Sequence, residues 1–227
     1  SQDAAGLGGY AMWNDHLYTE VTLYRSAHLG STQPGIGSEN TISGVSPYWR
    51  LAWQQYFGDN YLEIGSYGLY TKLIPNGVSG DTDDYTDIAF DAQYEHPLGN
   101  DLISVHANYI MEERDMNATL GAASPTYDIQ TFRLDGNYHF SDRFVITAAY
   151  FNIDGDTNLA LNPFSRTGQP DSDGYVLQAS YLPWQNVKLV AQYTGYNKFN
   201  GSSDNYDGSG RDASDNNAFY LNTWLMW

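Results

Sequence analysis

The sequence predicts an all-β fold, a closed antiparallel up-and-down transmembrane β-barrel of about ten strands. Two observations lead to this prediction. Ten segments alternate apolar and polar residues, and the connections between them are alternately long and short along the whole chain. Barrels of outer membranes have tight turns at the periplasmic rim and large polar loops outside. Nothing in the architecture of a soluble β-sandwich requires long and short connections to alternate.

The elements follow one another in a regular order. The predicted strands are 15–27, 48–58, 60–73, 84–96, 101–114, 128–140, 143–153, 174–184, 187–198 and 217–227. The long connections are Ser26–Pro47, Ile74–Asp83, Asp115–Tyr127, Asp154–Asp173 and Phe199–Asn216. The short connections are Gly58–Asp59, Pro97–Asn100, Ser141–Asp142 and Pro183–Asn186.

The alternation differs in clarity between segments. It is cleanest in the sixth, whose apolar side carries Phe132, Leu134, Gly136, Tyr138 and Phe140. The seventh and ninth are ambiguous; in the seventh, Ile146, Ala148 and Tyr150 compete with Val145, Ala149 and Phe151. Because lipid does not tolerate an open sheet edge, we expect the first and last strands to pair, with an even number of strands and both termini at the periplasmic side.

Composition narrows the function classes. The net charge of −17 argues against nucleic acid and against a basic surface helix. The absence of cysteine excludes disulfides, thiolate metal sites and covalently attached haem within the chain. Mean hydropathy is negative and no run approaches the roughly 18 apolar residues of a spanning helix, which is compatible with strands that face lipid only at alternate residues.

Aromatic residues lie beside the short turns, as interfacial girdles would. They are Tyr56, Phe57, Tyr61, Tyr94, Phe140, Phe144, Tyr181, Trp184 and Trp227.

The chain opens at Ser1 without a charged-then-apolar leader, so we expect that any signal peptide has been removed or lies outside the segment. We predict a single domain over residues 1–227, or the C-terminal part of a larger barrel.

The last segment ends on an aromatic residue after alternating apolar positions at Phe219, Leu221, Thr223 and Leu225. This strand resembles the carboxy-terminal signature of Gram-negative outer-membrane β-barrel, or porin-like, proteins. The resemblance implies that Trp227 is an assembly signal, that the assembly machinery of the outer membrane and outer-membrane lipid are partners, and that the chain resides in the outer membrane of a Gram-negative bacterium.

Three further segments resemble porin-like barrels found with multihaem cytochromes. They are 47–52, with the sequence Pro-Tyr-Trp-Arg-Leu-Ala, 84–87, with Asp-Tyr-Thr-Asp, and 206–211, with Tyr-Asp-Gly-Ser-Gly-Arg. The chain has no haem-attachment motif, so the resemblance implies that any haem belongs to a partner or to a segment outside this sequence.

The side of the strands opposite the apolar one carries charges of both signs, which in a barrel face the lumen. These candidate lumen residues are Glu20, Arg50, Glu63, Asp87, Asp91, His106, Glu112, Arg133, Asp135 and His139. Such charges must be paired or wetted. They predict either a structural network in a nearly filled interior or a narrow, cation-favouring water path.

The long connections hold a second acidic set. Oxygen-bearing residues at alternate positions make candidate calcium ligands of Asp81, Asp83, Asp154, Asp156, Asp204, Asp207 and Asp212. None of these segments matches the twelve-residue calcium loop, and Asp, Asn and Gly are also ordinary turn residues. Apart from calcium in these loops we expect no cofactor.

Enzyme motifs are missing, and we expect no catalytic residues and no enzymatic activity. There is no Gly-x-Ser-x-Gly elbow, no His-Glu-x-x-His and no phosphate-binding glycine loop. Ten-stranded proteases of the omptin type use an Asp pair and an Asp-His pair at the extracellular rim; Asp81, Asp83 and Asp84 offer the first pair, but no Asp-x-His follows.

Three functions remain open at this stage. The first is a porin-like barrel, acting as a narrow channel or as a membrane scaffold for a partner such as a cytochrome or another surface protein. The second is a surface binding protein or adhesin that uses the acidic, Asn/Gly-rich loops. The third is a soluble or fibre-forming β-protein, which requires water on both sides of the sheet.

Overall fold

The computed structural model describes residues 4–27, 40–75, 77, 79–122, 124–141 and 143–226. Within them strands predominate and helix is nearly absent. The strands are β1 (Ala4–Trp13), β2 (Leu17–Ser26), β3 (Thr41–Ile42), β4 (Ser46–Phe57), β5 (Asn60–Ile74), β6 (Asp83–Leu98), β7 (Asp101–Asp115), β8 (Tyr127–Phe140), β9 (Phe144–Gly155), β10 (Ser172–Trp184), β11 (Val187–Lys198) and β12 (Ala218–Leu225). The helices are one turn of α-helix, α1 (Asn117–Leu120), and a 3₁₀ turn at Ala213–Asn216.

All ten predicted segments are strands, but the predicted number of about ten is wrong. In the described residues the sheet has twelve strands, since β1 and β3 add to the ten that were predicted. The sequence of β1 is Ala-Ala-Gly-Leu-Gly-Gly-Tyr-Ala-Met-Trp, which contains no charged residue and so shows no apolar–polar alternation. β3 has only two residues and pairs with the end of β5, Thr41 opposite Ile74.

The strand order is up-and-down, and every strand except β3 follows its chain neighbour in one path from β1 to β12. The connection between β1 and β2 is short, residues 14–16, so the alternation of long and short connections extends to the added strand. Since β1 and β12 are the two ends of the path, the described sheet is open. The expected closure is not seen, and the path holds an odd rather than an even number of long strands.

The chain divides into two compact units. The first comprises Ser1–Gln54, Ile64–Phe90 and Ile110–Ile129, and the second comprises Gln55–Glu63, Asp91–Tyr109 and Gln130–Trp227.

In the first unit the register of β1, β2 and β4 separates an apolar from a polar face. Val21 is opposite Trp49 on the apolar face. The next residue pair along the strands belongs to the polar face, where Glu20 is opposite Arg50 and also Tyr10. Glu20 and Arg50, two of the predicted lumen residues, therefore lie side by side on the same face of the sheet.

In the second unit the register of β9 to β12 resolves the two ambiguous segments. One row across the four strands is apolar: Ala148, Leu177, Tyr193 and Phe219. The adjacent row is polar: Thr147, Gln178, Gln192 and Tyr220. Ile146 and Tyr150 consequently belong to the apolar face and Val145 to the polar face.

The burial pattern is the reverse of that of a soluble protein. Large apolar side chains of the strands are exposed, among them Ile146 at 53%, Leu177 at 52% and Leu221 at 74%. The buried apolar residues on the long strands, apart from Ile74 at the end of β5, are small or medium-sized: Ala52, Ala89, Ala149 and Val190. A sheet with an exposed apolar face and no core of large side chains in its described part is suited to lipid on that face.

Aromatic pairs lie beside the short turns, as the sequence predicted. Phe144 and Tyr181 stack with ring centroids 4.4 Å apart, and Tyr56 and Tyr61 lie 5.1 Å apart. In the described residues no helix is long and apolar enough to cross a membrane.

Candidate functional site

On the polar face of the first unit, Glu20 is the centre of a small network. It accepts hydrogen bonds from the Tyr18 hydroxyl at 2.8 Å and the Thr22 hydroxyl at 3.0 Å. Arg50, directly opposite on β4, lies with its guanidinium 5.7 Å from the centre of the Tyr67 ring. Both predicted charges are thus held against the wall of the sheet.

A pair of carboxyl groups lies on the same face of β6 and β7. The carboxyl groups of Asp87 and Glu112 are near neighbours on this face. Glu112 also accepts a hydrogen bond from the Arg114 guanidinium. Asp87 Oδ1 is buried without a hydrogen-bond partner in the described part of the chain.

The second unit carries the longest polar row. His106 Nδ1 is 3.0 Å from Asp135 Oδ2, and the Asn137 amide donates to the same oxygen at 3.0 Å. Arg133 Nε approaches Asp135 Oδ1 at 3.4 Å, and the Thr147 hydroxyl donates to Asn137 at 2.6 Å. Three of the predicted lumen residues therefore meet in one network around Asp135.

The remaining predicted lumen residues of the second unit lie elsewhere on it. Glu63 accepts a hydrogen bond from the Tyr61 hydroxyl at 2.8 Å. Asp91 is on β6 and His139 lines a pocket near the short turns. Glu95 and Arg114 were not predicted, although each lies an even number of residues from a predicted residue of its own strand. Lys188 was not predicted because the alternation of its segment is ambiguous.

Hydrogen bonds on the polar faces run mainly along the strands, from a residue to the one two positions away. Examples are Tyr18–Glu20, Tyr61–Glu63, Gln93–Glu95, Arg133–Asp135, Gln178–Ser180 and Gln192–Thr194. Side chains that bond along their own strand lie close to the sheet.

The predicted calcium ligands do not converge. No group of three or more metal-ligating side chains occurs among the described residues. Asp83 is buried, at 3% exposure, and binds the backbone amides of Ala118 at 2.8 Å and Thr119 at 3.0 Å, so it fastens α1 to the polar side of β6. Asp81, Asp154 and Asp156 lie on the surface.

In the last long connection the acidic residues organise their own loop. Asp207 accepts a hydrogen bond from the Ser209 amide at 2.8 Å, which lowers its pKa, and Asp212 accepts one from the Asn205 amide at 2.9 Å. Asp204 is an exposed neighbour of this turn.

Calcium in the loops stays a prediction. The predicted assembly signal, Trp227, lies outside the described residues.

Two long connections of the second unit are interlocked. Arg166 donates from its amide to the Tyr206 carbonyl at 2.6 Å and from its side chain to the Asn205 carbonyl at 2.9 Å. Tyr206 is buried, at 3% exposure. The same connections leave Leu159 and Phe164 exposed, at 63% and 79%.

The class of the fold is that of the outer-membrane β-barrel proteins. Three features define it: an exposed apolar face, a polar face with hydrogen-bonded charges, and connections that are alternately long and short. The location that this fold implies is the outer membrane of a Gram-negative bacterium.

Comparison with solved structures agrees with this class. The outer-membrane expressed OmpT of Vibrio cholerae is similar to this chain with a TM-score of 0.54 at 13% identity, over 98% of this chain and 65% of that one. The in-vitro folded OmpT, described as an outer membrane protein of Vibrio cholerae, gives 0.46 at 14% identity over 99% and 89%. Its trimer form gives 0.40 at 13% identity over 99% and 91%. No protein-family model and no curated protein sequence matches this chain.

Proposed function

We propose that the chain forms a narrow, water-filled, porin-like channel that favours cations. The observation that carries the proposal is the polar face of each unit, where charged side chains form hydrogen bonds along their own strands. Charges on such a face need water or a counter-ion. The soluble alternative needs water on the apolar face as well, which the exposure of residues such as Leu221 makes costly.

The sign of the selectivity follows from the residues of the polar faces. The carboxylates there are Glu20, Glu63, Asp87, Asp91, Glu95, Glu112 and Asp135, and the permanent cations are Arg50, Arg114, Arg133 and Lys188. An excess of carboxylates concentrates cations in a water-filled path. α1, fastened to β6 by Asp83, would narrow this path.

A matched pair of variants on β7 tests the proposal. Glu112→Gln removes a charge from the polar face, and Glu113→Gln removes the same charge from the adjacent residue, which alternation places on the other face. A unit charge about 6 Å from an ion in water contributes about 0.7 kcal/mol, a factor of about 3 in local cation concentration.

We therefore expect Glu112→Gln to lower the cation-to-anion permeability ratio, measured from reversal potentials in planar bilayers, and Glu113→Gln to leave it unchanged. Equal effects of the two variants, or a wild-type protein without conductance, would contradict the channel. In the second case a scaffold around a partner such as a cytochrome becomes the better proposal, and a haem absorbance band in the gently extracted particle tests it.

A second function, surface binding, is favoured by one specific observation. Leu159 and Phe164 are exposed on connections whose backbone is held in place by Arg166. Apolar side chains displayed on a fixed loop bind partners at low entropic cost. Loss of cell or ligand adhesion on replacement of Leu159 and Phe164 by Ser, with conductance retained, would favour this function over the channel.

A further inference from the structure

We infer that the second unit carries a binding site for a small organic anion, with Lys188 as its charged anchor. A pocket of about 490 Å³ lies beside the short connections of this unit. Its polar lining includes Asn100, His139, Ser141 and Lys188, and its apolar lining includes Leu102 and Leu182. The inference does not depend on conduction and goes beyond the proposed channel.

Lys188 differs from the other two lysines of the chain. Lys72 Nζ is 2.5 Å from Asp84, and Lys198 Nζ is 2.8 Å from Asp171. No ion pair or hydrogen bond joins the Lys188 ammonium to the described residues. In a chain with a net charge of −17, a half-buried lysine that is not ion-paired with a carboxylate of the described residues is the exception.

One carboxylate, Asp101, also lines the pocket, but both of its oxygens are engaged. Oδ2 accepts a hydrogen bond from the Tyr138 hydroxyl at 2.8 Å, and Oδ1 accepts one from the Ser141 amide at 2.8 Å. Asp101 therefore fixes the turn at Ser141, and in the described part of the chain it forms no ion pair with Lys188.

The lining specifies the chemistry of the ligand. An ammonium, an imidazole, a carboxamide and a hydroxyl suit a phosphate or carboxylate head group, for which lysine is a common point-charge partner. Val145 lies with Leu102 and Leu182 on the apolar wall, which suits a short aliphatic body. The volume is within the range of about 300–1,000 Å³ typical of small-molecule sites.

Calorimetric titration of the protein in lipid nanodiscs tests the site, with butyl phosphate as probe and butyltrimethylammonium as the cation of similar shape. We expect butyl phosphate to bind with a dissociation constant of about 1 mM or tighter and the cation not to bind. Lys188→Gln should weaken butyl phosphate binding by about tenfold or more, and Lys188→Arg should retain it.

Arg143→Gln is the matched control. Arg143 belongs to the same turn region and carries the same charge, but it does not line the pocket. Its replacement should leave binding unchanged. Binding that is insensitive to Lys188→Gln, an equal loss in Arg143→Gln, or no butyl phosphate binding to the wild-type protein at about 1 mM would each overturn the inference. The variants are compared only after their electrophoretic mobility without boiling shows that each is folded.

Discussion

Replacement of Leu177 by Arg tests the assignment of the two faces most severely. Leu177 lies one residue, about 3.3 Å along the strand, from the centre of β10. It is 52% exposed and pairs with Ala148 and Tyr193 in the apolar row. An arginine on the lipid face near the bilayer midplane costs about 2–4 kcal/mol.

Gln178→Arg is the control, since Gln178 occupies the adjacent row opposite Thr147 and Gln192. There the new guanidinium lies among polar side chains on the face assigned to water, and we expect a cost below about 1 kcal/mol. The assay is equilibrium unfolding in denaturant with the protein in lipid vesicles. If Leu177→Arg costs less than Gln178→Arg, the register or the membrane-facing side is wrong and the reasoning fails.

Three other perturbations address the loops. Asp83→Ala removes the charged acceptor of the α1 amides and should destabilise that connection by about 1–3 kcal/mol, measured by hydrogen exchange of its amides. Gly201→Ala places a Cβ 2.1 Å from Thr167 Oγ1 at a φ of +89°, so we expect faster proteolysis of the last long loop and a cost of at least about 1–2 kcal/mol. The pKa of Asp207 is lowered mainly by the Ser209 amide, so its stabilisation of the turn is complete above about pH 4 and is lost as pH falls through the lower, folded-state pKa. NMR titration of that amide should show this transition below pH 4, and Asp207→Asn should abolish it.

The alternation of residues identified all ten charged or aromatic-rich strands, because a sheet with lipid on one side and water on the other imposes a period of two. It did not identify β1, whose Gly6, Gly8 and Gly9 carry no side chain to alternate. It also left Ile146 and Val145 undecided, since both are apolar and β-branched. Only pairing with β10 assigns them to faces.

For the candidate site, the alternation of residues indicates only which side chains share a face. The structure places Glu20 opposite Arg50 and Asp135 beside His106, and these partners could not be read from the sequence. The partners of Asp83 could not be predicted from the sequence. Its acidic surroundings indicated calcium, whereas its carboxylate accepts a hydrogen bond from the backbone amide of Ala118 in α1, 35 residues away. Such long-range contacts leave no local sequence pattern.

The central claim is that one face of the sheet meets lipid and the other meets water. Because the chain has no cysteine, single cysteines at each position from Tyr175 to Tyr181 can be spin-labelled without background in proteoliposomes. The account predicts that labels at the positions of Tyr175, Leu177, Ala179 and Tyr181 are accessible to oxygen in the bilayer. Labels at the intervening positions should be accessible to a water-soluble nickel complex. Water accessibility at both sets of positions, or no alternation between them, would contradict it.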